Sequence, residues 1–111
     1  MDKLEKYRKH LKSYLTQYVT IANRDDKLVK TQLFIDPTKD TYLVISYGWT
    51  AERFVHFVAF YLQLKAEDGT VWLYENRTNK SVVKGLSELG VAKDDIVLAL
   101  VEPYREEKVT A

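Results

Sequence analysis

The side chains that could support catalysis or bind a metal are few in this chain and widely spaced. The sequence has no cysteine, which excludes disulfides, thiolate metal ligands and a cysteine nucleophile. Its two histidines, His10 and His56, lie outside any metal-binding spacing such as H-x-x-x-H. We expect His56 to be a partly buried, hydrogen-bonded side chain of a strand. The sequence therefore predicts no metal site and no cofactor.

The acidic residues, glycines and serines also lack a catalytic context. The pairs Asp25-Asp26, Asp94-Asp95 and Glu106-Glu107 lie in predicted loops or near a terminus, where carboxylates are usually caps or solvated charge. The four glycines are scattered and form no phosphate-binding loop. No serine has the strand-turn-helix context of a nucleophile. We predict a protein that is not an enzyme and acts by binding a partner.

Length and composition set the frame for such a partner protein. With 111 residues, of which 46% are apolar and 30% charged, the chain fits one globular domain over residues 1–111. A net charge of +1 argues against the overall positive field of a nucleic-acid-binding protein. Five basic against two acidic residues in positions 1–12 leave open a phosphate-binding helix or a solvated helix face. No signal peptide or membrane span is predicted, so we expect a cytoplasmic protein.

Hydrophobic periodicity predicts an α+β fold. An N-terminal helix packs on a mainly antiparallel sheet of about five strands, and a short helix precedes the last strand. The tyrosine-rich stripe of the first helix, over residues 2–22, either docks on the sheet or forms a coiled-coil seam. Residues 23–26 are expected to end this helix. The other predicted elements are strands over 27–35, 41–49, 53–65, 70–76 and 96–101, and a helix over 81–89 that stops at Gly90.

The second and third predicted strands are apolar on both faces, although the chain offers only two helices to cover them. We therefore expect another chain to cover part of the sheet; the alternative is a strongly curled sheet that covers itself. Tryptophan, tyrosine and arginine are the residues that most often anchor interfaces, although ordinary packing also accounts for each one singly. The candidate partner contacts are Trp49, Arg53, Trp72, Tyr104 and Arg105.

Several of these residues lie in segments that follow one another in a characteristic order. The segments are residues 1–7, Tyr47-Gly48-Trp49 with Arg53 beyond it, the hairpin 68–73, and the run 89–98 followed by Pro103 and Arg105. This ordered set resembles the XisI family, the fdxN element excision controlling factors, over nearly the whole chain. The sequence departs from the family pattern before Pro103, where Val101 and Glu102 stand, and in its short polar tail.

The resemblance implies a role and a partner. Proteins of this family are cyanobacterial accessory factors for site-specific excision of a DNA element during heterocyst differentiation. They work beside a recombinase and XisH, a factor that resembles nucleases. We therefore expect a non-enzymatic factor that contacts an XisH-like protein, reaches the recombinase–DNA complex only indirectly, and forms a homo-oligomer. The alternatives are an antitoxin-like inhibitor of a nuclease-like partner and a protein whose basic N-terminal helix binds DNA directly.

Overall fold

The order of helices and strands confirms the predicted α+β architecture. A computed structural model gives the fold and describes residues 2–100. One five-stranded sheet has the order β1-β2-β3-β4-β5, in which the first four strands are antiparallel neighbours and β5 runs parallel to β4. The elements are α1 (Lys3–Asp25), β1 (Val29–Asp36), β2 (Thr41–Trp49), β3 (Phe54–Lys65), β4 (Thr70–Asn76), α2 (Val82–Leu89), a 3-10 turn (Lys93–Asp95) and β5 (Ile96–Leu98).

Helix α1 docks on the sheet, as one of the two predicted alternatives had it. The helix begins where the Asp2 carboxylate accepts a hydrogen bond of 2.8 Å from the Glu5 amide, which satisfies one unpaired donor of the first turn. Tyr7, Leu11 and Leu15 of the apolar stripe are buried in the core. Because this stripe is buried against the chain's own sheet, the described structure gives no support to the coiled-coil alternative.

Helix α1 ends within residues 23–26 as expected, at Asp25, although it runs three residues beyond the predicted range 2–22. The polar residues that suggested a loop instead tie the helix to β1. The Asn23 amide donates to the Thr31 carbonyl and accepts from the Thr31 N–H, each at 2.8 Å. The Asp26 carboxylate then accepts from the amides of Leu28 and Val29. These contacts turn the chain directly from the helix into the strand.

The core lies between the two helices and one face of the sheet, which we call the inner face. Strand alternation directs Tyr42, Val44 and Ser46 of β2 to this side, and all three are buried. The hydroxyl groups of Ser46 and Thr31 pair at 2.9 Å across the two strands, so this buried polar pair is satisfied. The fully buried large side chains are Phe60, Leu11, Leu15, Leu62, Leu64, Leu73, Leu86, Val44, Val71, Val82 and Val91.

Helix α2 carries the chain from β4 back to a parallel neighbour. Ser81 caps the helix by accepting from the Lys84 amide at 3.2 Å, and Gly90 ends it. Parallel pairing needs such a crossover, because a short hairpin can only give an antiparallel neighbour. The last strand, predicted over 96–101, is observed over Ile96–Leu98, and residue 101 lies outside the described residues.

A polar cluster joins the start of α1 to the turn before β5. The Tyr7 hydroxyl donates to the Asp95 carboxylate at 2.6 Å and accepts from the Ala92 amide at 3.2 Å. The Lys3 ammonium lies 3.0 Å from the same carboxylate. The Tyr7 hydrogen bond and then Lys3 hold the pKa of Asp95 below its ordinary value, whereas burial raises the pKa of Tyr7.

Gly48 allows β1 and β2 to meet at the point where the chain enters the sheet. Its φ of +150° is rarely adopted by other residues. A Cβ at this position would lie 2.1 Å from the Leu28 carbonyl oxygen and 2.7 Å from the Val29 Cα. A side chain would therefore push β1 away from β2 and displace the next residue, Trp49, whose amide donates to the Leu28 carbonyl at 3.2 Å.

Replacement of Gly48 by alanine should lower the free energy of unfolding by about 2–3 kcal/mol, because strain and overpacking add at this position. The measurement is urea-induced unfolding followed by circular dichroism. Gln32→Ala, an exposed change on the neighbouring strand, should stay within about 0.5 kcal/mol of the parent chain. Equal stability of the Gly48→Ala variant and the parent would contradict the close approach.

The polar cluster around Asp95 should make the protein sensitive to acid. A lowered carboxyl pKa in the folded state contributes stability that is present above the ordinary value of 3.8 and is lost as the pH falls through the lower, folded value. The Tyr7→Phe variant lacks the largest cause of this shift, so its stability should fall less steeply between about pH 5 and pH 2. Unfolding in urea across that range measures the slopes. Tyr18→Phe is the control and should keep the parent slope.

Candidate partner-binding face

Strand alternation leaves one side of the sheet turned away from both helices, and we call it the outer face. Its backbone register brings apolar and aromatic side chains of neighbouring strands side by side, for example Leu43 opposite Tyr61 and Ile45 opposite Val58. Within residues 2–100 no helix forms a second layer over it. The outer-face residues of β1 to β4 are Lys30, Gln32, Phe34, Leu43, Ile45, Tyr47, Trp49, Phe54, His56, Val58, Tyr61, Gln63, Trp72 and Tyr74.

Exposure confirms that this face is open. Trp49 exposes 62% of its surface, Phe34 49% and Phe54 46%. The residues between them on β2 are half-buried only by their neighbours in the sheet. An exposed apolar surface that carries aromatic side chains marks interaction sites in soluble proteins, because its removal from water is favourable and aromatic residues are enriched in interfaces.

Two aromatic clusters stand at opposite ends of the outer face. At one end the rings of Trp49 and Phe54 pack edge-on with centroids 5.4 Å apart, and His56 lies beside Phe54 at 6.2 Å. At the other end the rings of Tyr61 and Tyr74 are 4.8 Å apart.

The second cluster continues to Trp72, whose ring centroid lies 6.3 Å from that of Tyr74. Polar contacts fix both rings. The Trp72 indole N–H donates to the Thr70 hydroxyl at 2.9 Å, and the Tyr74 hydroxyl donates to the Gln63 side chain at 3.2 Å. The Lys65 ammonium lies 5.1 Å from the Trp72 ring centroid. These rings are held in place before any partner binds.

The structure places three of the five candidate contacts on or beside this face. Trp49 and Trp72 share it but belong to different clusters, and Arg53 lies in the turn next to Trp49. Tyr104 and Arg105 fall outside the described residues. The sequence reasoning did not single out the exposed Phe34 and Phe54 or the Tyr61, Tyr74 pair. Strand alternation places these residues on one face of the sheet, so the sequence could have indicated them once the other face was assigned to the helices.

The expectation of a partly buried His56 was wrong. His56 is exposed on the outer face, because no layer of the described structure covers it. The described residues contain no group of three or more histidine or acidic side chains arranged to hold a metal ion. Across residues 2–100 no helix is long and apolar enough to cross a membrane.

The basic start of α1 is partly neutralised by acids of two turns, the one between β1 and β2 and the one before β5. The Arg8 guanidinium bonds the Asp40 carboxylate through two nitrogens, at 2.8 and 3.1 Å. Lys3 is engaged with Asp95, as described above. The remaining basic residues of this segment, Lys6, Lys9 and Lys12, present a weaker field than the sequence suggested. This arrangement disfavours α1 as a DNA-binding helix.

Comparison with known proteins places the chain in a family. The pattern of the family described as XisI protein matches residues 1–110. The chain belongs to the XisI family.

Solved structures of family members share the fold. A XisI-like protein from Anabaena variabilis ATCC 29413 is 30% identical, with 95% of this chain and 94% of that chain covered and a TM-score of 0.76. The fdxN element excision controlling factor XisI from the same organism is also 30% identical, with 94% and 98% covered and a TM-score of 0.73. No protein with a curated description matches this chain.

Trp49 should contribute little to the stability of the isolated chain, because it is largely exposed and its described ring contact is with Phe54, which is itself 46% exposed. We expect Trp49→Ala to lower the free energy of unfolding by about 1 kcal/mol or less. Phe60→Ala, in the core, should cost about 3–5 kcal/mol. Urea unfolding of both variants makes the comparison. A cost for Trp49→Ala as large as that for Phe60→Ala would contradict an open outer face.

Proposed function

We propose that this XisI-family protein is a non-enzymatic controlling factor for the excision of a DNA element. It works in the cytoplasm by binding an XisH-like protein through the outer face and thereby acts on the recombinase–DNA complex indirectly. Family membership over residues 1–110 and the likeness to an fdxN element excision controlling factor support the excision role. The open aromatic face supports action through protein contacts.

The single observation that carries the proposal is the outer face, which no element of residues 2–100 covers and which carries two aromatic clusters, one of them fixed by polar contacts. Rings that are already held by Thr70 and Gln63 lose little conformational entropy when a partner buries them. Large aromatic side chains at the centre of an interface are the usual hot spots of binding. The same face also suits a second copy of the chain, so we extend the proposal to a homo-oligomer in the absence of the partner.

Direct DNA binding is the less favoured alternative. A protein that neutralises several phosphates needs a free basic stripe, whereas Lys3 and Arg8 of α1 are engaged by Asp95 and Asp40. The segment after α2 also offers no recognition helix, because a 3-10 turn and β5 follow it. We therefore expect affinity for duplex DNA only at low salt.

The test is co-expression of the tagged chain with the XisH-like protein of the same cell, followed by affinity purification and light scattering of the eluted complex. The double variant Trp49→Ala/Tyr61→Ala should bind this protein about tenfold or more weakly, as expected for truncated aromatic anchors. Leu89→Ser, which alters an exposed apolar residue of α2 away from the outer face, is the matched control and should bind like the parent.

Excision of the element in cells that lack the chromosomal copy gives the functional readout. The parent chain and Leu89→Ser should restore excision, and the double variant should not. A complex unaffected by the double variant would refute the role of the outer face. A chain that binds no XisH-like protein but shifts duplex DNA at physiological salt would refute the proposal as a whole.

The antitoxin-like alternative predicts a different result in the same cells. There, expression of the XisH-like partner alone would arrest growth, and the parent chain would relieve the arrest. We expect instead that the partner is tolerated without the chain and that only excision requires both.

A further inference from the structure

Strand β3 extends well beyond the strand that flanks it on one side. β4 pairs with β3 from Lys65 back to Phe60, where Asn76 lies opposite. The next residue, Arg77, donates its amide to the Ala59 carbonyl at 2.9 Å and the chain then leaves the sheet. Within residues 2–100 no strand pairs with residues 54–59 of β3 on this side. We call this unpaired stretch of β3 the notch.

The alternation of the ladder shows which backbone groups face the notch. The backbone N–H and C=O of Thr31 bond the Asn23 side chain, so they point away from β2. Since successive residues of a strand point their backbone groups to opposite sides, the backbone groups of Lys30 and Gln32 point toward β2. Their partners on β2 are Tyr47 and Ile45, so the groups of Ser46 and Gly48 point to β3.

On β3 the residues opposite Ser46 and Gly48 are Phe57 and Val55, which therefore bond β2. The backbone groups of Phe54 and His56 consequently point into the notch. Every second residue of this edge therefore presents a backbone N–H and C=O that no neighbouring strand within residues 2–100 pairs. An open edge of this kind can accept an added strand.

The notch opens into a cleft of about 520 Å³ with a basic character. Its lining consists of Arg53, Phe54, Val55, His56, Phe57 and Arg77. Both arginines are exposed; Glu75 lies 3.5 Å from the Arg77 guanidinium, and Glu52 precedes Arg53 in the turn. The half-buried side chains of Val55 and Phe57 give the inner side of the cleft an apolar floor.

We propose that the notch binds an extended, acidic segment of a partner protein as an additional antiparallel strand of the sheet. Main-chain hydrogen bonds to Phe54 and His56 supply the affinity, alternate apolar side chains of the segment lie over Val55 and Phe57, and its carboxylates meet Arg53 and Arg77. The notch adjoins the outer face and shares Phe54 and His56 with it, but it binds through their backbone groups and does not depend on the proposed function.

The arginines argue against a second copy of this chain in the notch. Antiparallel pairing of two β3 edges about His56 would place Arg53 of each copy opposite Ala59 of the other, where Arg77 is bonded. Such a pair would bring like charges together on both sides of the axis, which costs binding energy. An acidic segment meets the same two residues with opposite charge.

A labelled synthetic peptide of alternating glutamate and valine, about six residues long to match the free edge, is the probe. Fluorescence anisotropy with the full chain should give a dissociation constant in the micromolar range. The same peptide with lysine in place of glutamate should bind about tenfold or more weakly. A version N-methylated at every second residue, on the edge that would face β3, should not bind, because it lacks the donors of an added strand.

Variants of the chain locate the site. Arg53→Glu/Arg77→Glu should weaken peptide binding about tenfold or more, whereas Lys30→Glu, an exposed charge change on the far edge of the sheet, should leave it within about twofold. The Trp49→Ala/Tyr61→Ala variant should also retain peptide binding, which separates failure of this proposal from failure of the outer-face contact.

Amide hydrogen exchange tests for strand pairing directly, because a peptide bound only through its charges would not protect the His56 amide. The amide of His56 should become about tenfold or more protected on binding, while those of Val55 and Phe57, already bonded to β2, should not change. Absence of binding, insensitivity to N-methylation, or an equal effect of Lys30→Glu would overturn the proposal. Binding only after deletion of residues 101–111 would assign the edge to the chain's own tail and overturn it as well.

Discussion

The packing of α1 across the inner face is the interaction on which the rest of the structure depends. Leu11 and Leu15 are completely buried there, and the rings of Tyr14 and Tyr18 pack edge-on against Phe60 with centroids 6.3 and 4.9 Å apart. Each such aliphatic side chain contributes roughly 1.5–3 kcal/mol when removed from water. The helix also reaches both edges of the sheet, through Asn23 at β1 and through Tyr7 at the turn before β5.

The one-sided position of α1 and α2 explains why the outer face is open, but not why it is apolar. A two-layer domain buries one face of its sheet, and the other face then usually carries alternating polar residues. Here β2 and β3 keep aromatic and branched side chains on that other face. The chain thus carries apolar surface that its own described layers do not cover, and hydrogen bonds within the sheet fix the rings of Trp72 and Tyr74 on it.

The edges of the same sheet differ in how they are protected. At β1 the Asn23 side chain occupies the outward backbone groups of Thr31, which hinders the addition of a foreign strand there. β5 is a short strand of three residues. The early part of β3 lacks comparable protection among the described residues and lies between two arginines. Regular pairing ends there because β4 turns away at Arg77. The opening therefore results from the short length of β4 and not from a fault in β3 itself.

The sequence by itself determined the elements and the family. The tyrosine-rich stripe of α1, the turn residues between strands and Gly90 after α2 are local signals, and they located β2 and β4 to the residue. They also indicated an apolar excess in the sheet, and the ordered segments from Tyr47 to Leu98 indicated the XisI family.

Only the tertiary structure decided which face stays open and which residues share it. Period-two alternation gives two equivalent faces until the helices occupy one, so Trp49 and Trp72 could not be separated into two clusters from the sequence. The continuation of α1 to Asp25 depended on the pairing of Asn23 with Thr31, a contact between residues of different elements. The notch in β3 arose for the same reason, because the length of a strand's partner is a property of the sheet and not of the strand's own residues.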